Sequence, residues 1–235
     1  MKAILMAAGM GTRISQKTSR PKSLLKVGDE SIILHTVKML QAHGIDVSVI
    51  VGFKDEYIRE ELKDANVKFY YNPFYRVTNS IASLWFAKEE LDGKDALILG
   101  NADVYWEEDL LEELLKSEKE VVMLADKTRI EIGDYFFKCE ENKIVDYGKE
   151  LTVENRSCEY VGIAKLSKEF ICDFKSNMEK LIKDEDYNLW WENVLYSLSD
   201  EKDIYVQDVN GKFWGEVDTI EDYDRILNYT KTKES

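Results

Sequence analysis

The residues of this chain whose types and spacing best suit chemistry follow a glycine-rich segment near its start. The apolar run 1–6 leads into the sequence AAGMGTR at 7–13, and Lys22 comes nine residues after Arg13. Glycine lets a backbone approach phosphate oxygens closely and adopt positive φ. An arginine can bind two such oxygens at once, and a lysine adds a compact charge. These features together are typical of a nucleoside triphosphate site at a sheet edge.

Two common phosphate-binding motifs are excluded. Thr12 follows the second glycine, where a P-loop requires lysine, and Ile14 stands where the dinucleotide motif GxGxxG requires its third glycine. The observed pattern, LxAAGxGTR…PK from Leu5 to Lys22, is much more specific than GxG alone. It therefore indicates a different class of nucleotide site.

Carboxylates follow a predicted strand and recur near the end of the chain. Asp103 comes directly after the apolar run 96–99, at the edge of an open α/β sheet where ligands bind. Glu216 and Asp218 are separated by one residue, so in an extended segment both face the same side. Mg²⁺ binds one or two carboxylates together with substrate phosphates and water. Asp103 with Asp218 meets that requirement.

The glycine-rich pattern resembles that of nucleotidyltransferases, which join a nucleoside triphosphate to a phosphorylated acceptor and release pyrophosphate. Within the sugar-phosphate nucleotidyltransferase family the chain is most similar to the bacterial phosphocholine cytidylyltransferases, and the resemblance extends over essentially the whole sequence. It implies an α/β fold of modified doubly wound type, with a mixed, mainly parallel sheet flanked by helices. The implied activity transfers CMP from CTP to phosphocholine, giving CDP-choline and pyrophosphate.

The resemblance also implies roles for individual residues. Arg13 and Lys22 act in catalysis. The Mg²⁺ ligands are Asp103 and Asp218, with Glu216 as a third candidate. Because the acceptor phosphate is already ionised near neutral pH (second pKa about 6), no pair of nucleophile and base is required.

The nucleotide site extends to a second segment, NSIASLW at 79–85, which resembles the family segment that borders the pyrimidine. Asn79 or Ser80 also suits a purely structural role as the N-cap of the helix that follows. The predicted nucleotide-binding residues are Ala7, Ala8, Gly9, Met10, Gly11, Thr12, Arg13, Asn79, Ser80 and Ala82.

The sequence YNLWWEN at 187–193 suits a choline headgroup. Aromatic faces bind a quaternary ammonium, each contributing about 0.5–2 kcal/mol, and Glu192 adds a complementary charge. Trp190 stands where the family has a tyrosine. Adjacent tryptophans on one helix cannot share a face, so at most one of Trp190 and Trp191 is expected to line the cage.

The predicted acceptor-binding residues are Lys149, Glu159, Trp190, Trp191 and Glu192. Lys149 stands where the related sugar-phosphate enzymes carry a lysine. The glutamate before that lysine and the proline after it are missing here, which weakens the case for a sugar phosphate as the acceptor. Two alternatives stay open. One keeps the mechanism with aminoethylphosphonate or a polyol or sugar phosphate as acceptor, and the other is a non-catalytic nucleotide-binding regulator.

Composition limits the function classes. A net charge of −14 with no basic patch argues against nucleic-acid or anionic-membrane surfaces. No apolar stretch reaches 18 residues, which predicts a cytoplasmic protein. Cys139, Cys158 and Cys172 are widely spaced and predict reduced thiols. Small-molecule substrates are the expected partners, and a homodimer is left open.

Alternating strand and helix signals in residues 1–120 favour a parallel sheet with crossover helices. Residues 121–235 read as a mixed α/β layer. We expect one domain, 1–235, with a nucleotide-binding half followed by an acceptor-binding half. Helices are predicted over Ser80–Leu91 and Tyr187–Leu198, among others.

Overall fold

The computed structural model of the chain describes residues 1–11 and 19–233. Its strands are β1 Lys2–Ala7, β2 Lys26–Val27, β3 Glu30–Ser31, β4 Asp46–Val51, β5 Val67–Tyr71, β6 Leu97–Asn101, β7 Val104–Trp106, β8 Val121–Asp126, β9 Phe136–Glu140, β10 Lys143–Gly148, β11 Cys158–Leu166, β12 Tyr205–Asp208 and β13 Trp214–Glu216. Its helices are α1 Ile32–Ala42, α2 Asp55–Glu61, α3 Ser80–Phe86, α4 Glu108–Lys116, α5 Ile171–Lys183, α6 Asn193–Tyr196 and α7 Ile220–Lys233.

Nine strands form one sheet in the order β5-β4-β1-β6-β11-β8-β12-β10-β9. Seven of them run in the same direction, because β10 and β11 alone are antiparallel to their neighbours on both sides. The sheet curls at its end, where β9 pairs also with β11. The predicted α/β class, with a mixed and mainly parallel sheet, is confirmed.

Helices cover both faces of this sheet, which explains the uninterrupted apolar sequence of β1. Ala3, Ile4 and Leu5 are each at most 1% exposed. Ile4 belongs to the core shared with α3 and α5, while Ala3 and Leu5 belong to the core shared with α1 and α4. Parallel strands buried on both faces require apolar residues at every position. The glycine-rich segment therefore follows a strand that is packed on both faces.

A small two-stranded ladder brings the end of the chain to the end of β6. β13 pairs antiparallel with β7, with Glu216 opposite Val104. The backbone N–H of Val217 donates to the Asp103 carbonyl at 3.1 Å. Beyond it, Thr219 and Asp222 exchange hydrogen bonds as a capping box at the start of α7. This ladder places Asp218 beside Asp103.

The helix predicted over Tyr187–Leu198 is wrong, since the helical part is only Asn193–Tyr196. The preceding loop instead pairs with the start of α3. The N–H groups of Asn79 and Ile81 donate to the carbonyls of Tyr187 and Leu189, at 2.9 and 3.2 Å. The first N–H groups of a helix have no partner within it, so an extended loop that offers carbonyls competes with helix formation.

The helix predicted over Ser80–Leu91 ends at Phe86 and is followed by a 3₁₀ turn, Lys88–Glu90. Among the described residues, no helix has both the length and the apolar character needed to cross a bilayer.

Candidate active site

A cavity of about 350 Å³ opens at the carboxyl ends of β1 and β6. It is lined by Met6, Ala8, Gly9, Gly11, Lys22, Tyr75, Thr78, Asn79, Ser80, Ser83, Asn101, Asp103, Asp134, Tyr135, Lys149, Tyr160, Trp190, Glu192, Tyr196, Glu216 and Asp218. This is the edge at which open α/β sheets bind ligands. Residues from both halves of the chain meet here.

The glycine-rich segment forms one wall of the cavity. Gly11 has φ of +58°, and a Cβ there would lie 3.2 Å from Lys22 Cγ, so a side chain at this position would crowd the lysine. Ala8 and Gly9 also face the cavity. The predicted Ala7 and Met10 do not line it. Ala7 is buried in the core at the end of β1, and Met10 is 37% exposed. Thr12 and Arg13 lie outside the described residues.

Three carboxylates meet at one point of this cavity. Oxygens of Asp103, Glu216 and Asp218 all lie within 4.8 Å of one another. The Lys22 ammonium forms ion pairs with Asp103 and Asp218. Burial lowers the pKa of Lys22, but the negative charges of Asp103 and Asp218 outweigh it and leave this pKa above its ordinary value. The lysine is therefore a fixed positive charge at neutral pH.

Glu216 has the most strongly perturbed carboxyl group of this cluster, although Asp103 is the more buried residue. Burial, together with the charges of Asp103 and Asp218, raises the pKa of Glu216 well above its ordinary value. The cluster is a set of hard oxygen donors of the kind that Mg²⁺ prefers. Its chemistry fits that cation, which would relieve the repulsion among the three carboxylates.

Aromatic rings form another wall of the cavity. Tyr135 stacks on Tyr196 with 5.7 Å between ring centroids and meets Trp190 edge to face at 5.6 Å. Tyr160 completes this wall, and its hydroxyl is buried without a hydrogen-bond partner of normal geometry among the described residues. Four aromatic side chains on one cavity surface provide the electron-rich faces that attract an organic cation.

Glu192 lies against this aromatic wall and is 6% exposed. Burial raises its pKa to about 8, although a hydrogen bond from Asn101 favours the charged form. Asn101 Nδ2 donates to Glu192 Oε1 at 3.4 Å. A carboxyl group with few polar partners inside an aromatic cavity is suited to a ligand that brings its own positive charge.

Lys149, Asn79 and Ser80 also reach the cavity. Lys149 Nζ forms an ion pair with Asp134 and lies 5.5 Å from the centre of the Trp190 ring. The Asn79 side chain accepts from the Ser80 N–H at 2.8 Å, and Ser80 Oγ accepts from the Trp191 N–H at 2.9 Å. Asn79 and Ser80 thus both have structural hydrogen-bond partners and also line the cavity.

Three other predicted site residues do not line this cavity. Trp191 is fully buried, and its indole N–H donates to Asn101 Oδ1 at 3.1 Å. Glu159 is held by Arg129 Nε at 2.5 Å and faces a neighbouring cavity of about 200 Å³. Ala82 is buried within α3. Of the two adjacent tryptophans, only Trp190 faces the cavity.

The sequence analysis missed Asn101 and the three tyrosines of the aromatic wall, Tyr135, Tyr160 and Tyr196. Asn101 precedes Asp103 by two residues at the end of a strand, which puts both at the ligand-binding edge, and this signal could have revealed it. The tyrosines come from three separate parts of the chain: the segment before β9, β11 and α6. Tyrosine is common in cores, so no local pattern marks these three.

A doubly wound sheet with a glycine-rich loop, a lysine and three carboxylates at its carboxyl edge is the arrangement of a nucleotidyltransferase. Residues 3–158 match the model of the MobA-like NTP transferase domain. The chain belongs to this family.

Relatives align along nearly the whole chain. The chain is 27% identical to a choline-phosphate cytidylyltransferase from Streptococcus pneumoniae, over 99% of this chain and 100% of the relative. It is 24% identical to a CTP:phosphoglutamine cytidylyltransferase from Campylobacter jejuni, over 94% and 97% of the two chains. The solved structure of CTP:phosphocholine cytidylyltransferase from Streptococcus pneumoniae matches with a TM-score of 0.75 at 23% identity, over 97% and 98% of the two chains. This structural likeness shows a shared fold.

Proposed function

We propose that the protein transfers CMP from CTP to phosphocholine, giving CDP-choline and pyrophosphate. The observation that carries the proposal is the joining of two chemistries in one cavity. An aromatic wall with buried Glu192 suits a quaternary ammonium, and Lys22 with the carboxylate cluster suits phosphates and a divalent cation. The names of the two aligned relatives support CTP as the nucleotide.

The nucleotide is bound by the first half of the domain. Ala8, Gly9 and Gly11 border the triphosphate. A role for Thr12 at the triphosphate, and for Arg13 at the phosphates that leave, stays a prediction from the sequence. Asn79 and Ser80 border the base. Lys22 stabilises the negative charge that builds on the transferring phosphoryl group, because a positive charge fixed in a partly buried site is already oriented before reaction.

Asp103 and Asp218 would hold Mg²⁺, with Glu216 as a third candidate ligand. When bound, the ion would neutralise phosphate charge and hold the substrate oxygens in place. The three carboxylates lie close enough to share one cation. Glu216 has a raised pKa without such a cation, so cation binding would favour its ionised form.

The acceptor is bound by the second half. The rings of Trp190, Tyr135 and Tyr196 surround its quaternary ammonium, and Glu192 supplies the opposite charge. Lys149 contacts its phosphate. An acceptor phosphate oxygen attacks the α-phosphorus in line, a new P–O bond forms, and the bond to the β-phosphate oxygen breaks. Pyrophosphate leaves with that electron pair, so no side chain has to remove a proton.

The test is pyrophosphate release with Mg²⁺ across four nucleoside triphosphates and four acceptors: phosphocholine, phosphoethanolamine, aminoethylphosphonate and glucose-1-phosphate. Turnover with CTP and phosphocholine alone would support the proposal. Turnover with a primary amine or a sugar phosphate would keep the transferase chemistry and reject choline as the headgroup. Tight binding of Mg²⁺·CTP with no turnover would favour the regulator.

A further inference from the structure

Asn101 links the buried tryptophan to the buried carboxylate. Its Oδ1 accepts from Trp191 Nε1 at 3.1 Å, and its Nδ2 donates to Glu192 Oε1 at 3.4 Å. Asn101 is the last residue of β6, two positions before Asp103. The rigid strand that ends at the carboxylate cluster therefore also contacts the aromatic part of the cavity.

The orientation of the Asn101 amide follows from the chemistry of its neighbours. An indole N–H can only donate, so the amide oxygen must face Trp191. The amide NH₂ group is then turned toward Glu192, where it meets a carboxylate oxygen that accepts. Trp191 thus acts at a distance from the cavity, by fixing which end of the amide faces the acid.

Gly162 leaves room for the Asn101 side chain. Gly162 has φ of +93°, and a Cβ there would lie 3.2 Å from Asn101 Nδ2 and 2.9 Å from Val104 Cγ2. It lies where the pairing of β11 with β8 shifts register, between Tyr160 and Ala164. The irregularity in β11 therefore makes space for Asn101. Tyr160, where the irregularity begins, lines the cavity.

We propose that Asn101 is a positioning residue for the acceptor, acting through Glu192. The inference rests on the proposed function, because it assumes that the carboxylate binds a cationic headgroup. By donating to one oxygen, Asn101 holds the carboxylate against the aromatic wall and stabilises its negative charge. Asn101 therefore decides how strongly a cationic acceptor binds and leaves the affinity for CTP unchanged.

The experiment compares steady-state kinetics of the whole enzyme with phosphocholine for the variants Asn101→Leu, Trp191→Phe, Glu192→Gln and the double variant Asn101→Leu/Glu192→Gln. Asn101→Leu is expected to raise the KM for phosphocholine roughly tenfold, the size expected for a hydrogen bond to a charged group. The KM for CTP should stay within about twofold. Trp191→Phe keeps an aromatic side chain but removes the indole N–H, so it should raise the phosphocholine KM by a smaller factor.

The double variant separates action through Glu192 from general damage. If Asn101 acts through that carboxylate, Asn101→Leu should add little to the effect of Glu192→Gln. Asn177→Leu is a matched control, because Asn177 makes two similar hydrogen bonds, to the Val194 carbonyl and Ser197 Oγ, outside the cavity lining. It should lower stability and leave both KM values unchanged.

Three results would overturn the inference. They are an unchanged phosphocholine KM in Asn101→Leu, an equal rise in the KM for CTP, or full additivity with Glu192→Gln. In each of these the wild-type enzyme still uses phosphocholine, so the proposed function survives. A wild-type enzyme that turns over only uncharged acceptors would instead reject the proposed function, and this inference with it. Trp191→Phe keeps the test decisive if Asn101→Leu does not fold.

Discussion

Lys22 Nζ lies 2.7 Å from Asp218 Oδ1, although 196 positions of sequence separate the two residues. The same ammonium contacts Asp103. The Lys22 ammonium, which we propose assists phosphoryl transfer, is therefore paired with the same carboxylates that we propose hold Mg²⁺. A divalent cation must compete with this ammonium unless a phosphate draws the lysine away.

This competition predicts that Lys22→Met has opposite effects on catalysis and on metal binding. Loss of the charge should lower kcat/KM at least about 100-fold, as when other preorganised charges are removed. Affinity for Mn²⁺ without nucleotide should rise roughly tenfold, equivalent to about 1.4 kcal/mol. Electron paramagnetic resonance of free Mn²⁺ would measure it. Lys38→Met, which removes an exposed lysine paired with Glu30, is the control, and weaker Mn²⁺ binding in Lys22→Met would contradict the competition.

Glu192 should make acceptor binding depend on pH. Its pKa is raised to about 8 by burial, so below that pH it is largely protonated and cannot attract a cation by charge. We expect kcat/KM for phosphocholine to rise with pH and level off above about 8. In Glu192→Gln the profile should lose this rise. A pH profile unaffected by the substitution would show that another group titrates.

The same raised pKa predicts a stability effect of defined sign. Between its ordinary value of 4.5 and about 8, the folded protein keeps a proton on Glu192 that the unfolded chain has lost. Stability therefore falls as pH rises through this range. Glu192→Gln should remove this part of the pH dependence and stabilise the unliganded protein at pH 8 by roughly 1–3 kcal/mol. Urea unfolding of the wild type and Glu192→Gln at pH 5 and pH 8 would measure this effect. If the free energies of unfolding differ by the same amount at both pH values, the prediction is wrong.

The adjacent tryptophans should respond in different ways to the same substitution. Trp190 is 39% exposed and faces the cavity, so Trp190→Ala should raise the KM for phosphocholine with little loss of stability. Trp191 is fully buried, so Trp191→Ala should lower the free energy of unfolding by about 3–5 kcal/mol. Paired KM and thermal unfolding measurements would check both. An unstable Trp190→Ala with unchanged KM would assign that ring to the core.

Two glycines with positive φ allow a matched test of crowding. Gly28 has φ of +61°, and a Cβ there would have no other atom within 4 Å. A Cβ on Gly162 would instead crowd Asn101 and Val104. Gly28→Ala should lower the free energy of unfolding by about 1 kcal/mol through backbone strain alone. Gly162→Ala should lower it by roughly 2–4 kcal/mol, since crowding adds to the strain. Urea unfolding would measure both changes. Equal losses of unfolding free energy in the two variants would show that Gly162 is not needed to leave space for Asn101.

Sequence patterns anticipated those parts of the molecule that depend on local order. The apolar run of β1 predicts a buried strand, and Asp103 directly follows a second predicted strand at the carboxyl edge, as the structure shows. The aromatic wall could not be predicted in the same way. Tyr135 precedes β9, Tyr160 lies in β11 and Tyr196 lies in α6. They come together only through contacts between distant segments, which leave no periodic signal.

The loop 187–190 shows a second limit. Its tryptophan, leucine and tyrosine suit a helix by local pattern, but the unpaired N–H groups of α3 bind its carbonyls instead. The ladder of β7 and β13 was missed because strands of three residues are too short to show alternation. Contacts between distant segments decided both.

The anchoring of this loop has a consequence for how such enzymes diverge. The two bonds from Asn79 and Ile81 join main chain to main chain, so they place no demand on the side chains at 187–190. Substitutions there can alter which headgroup is accepted without releasing the loop from the cavity. New acceptor specificities can therefore evolve by single changes, each tested by selection on a scaffold that still folds.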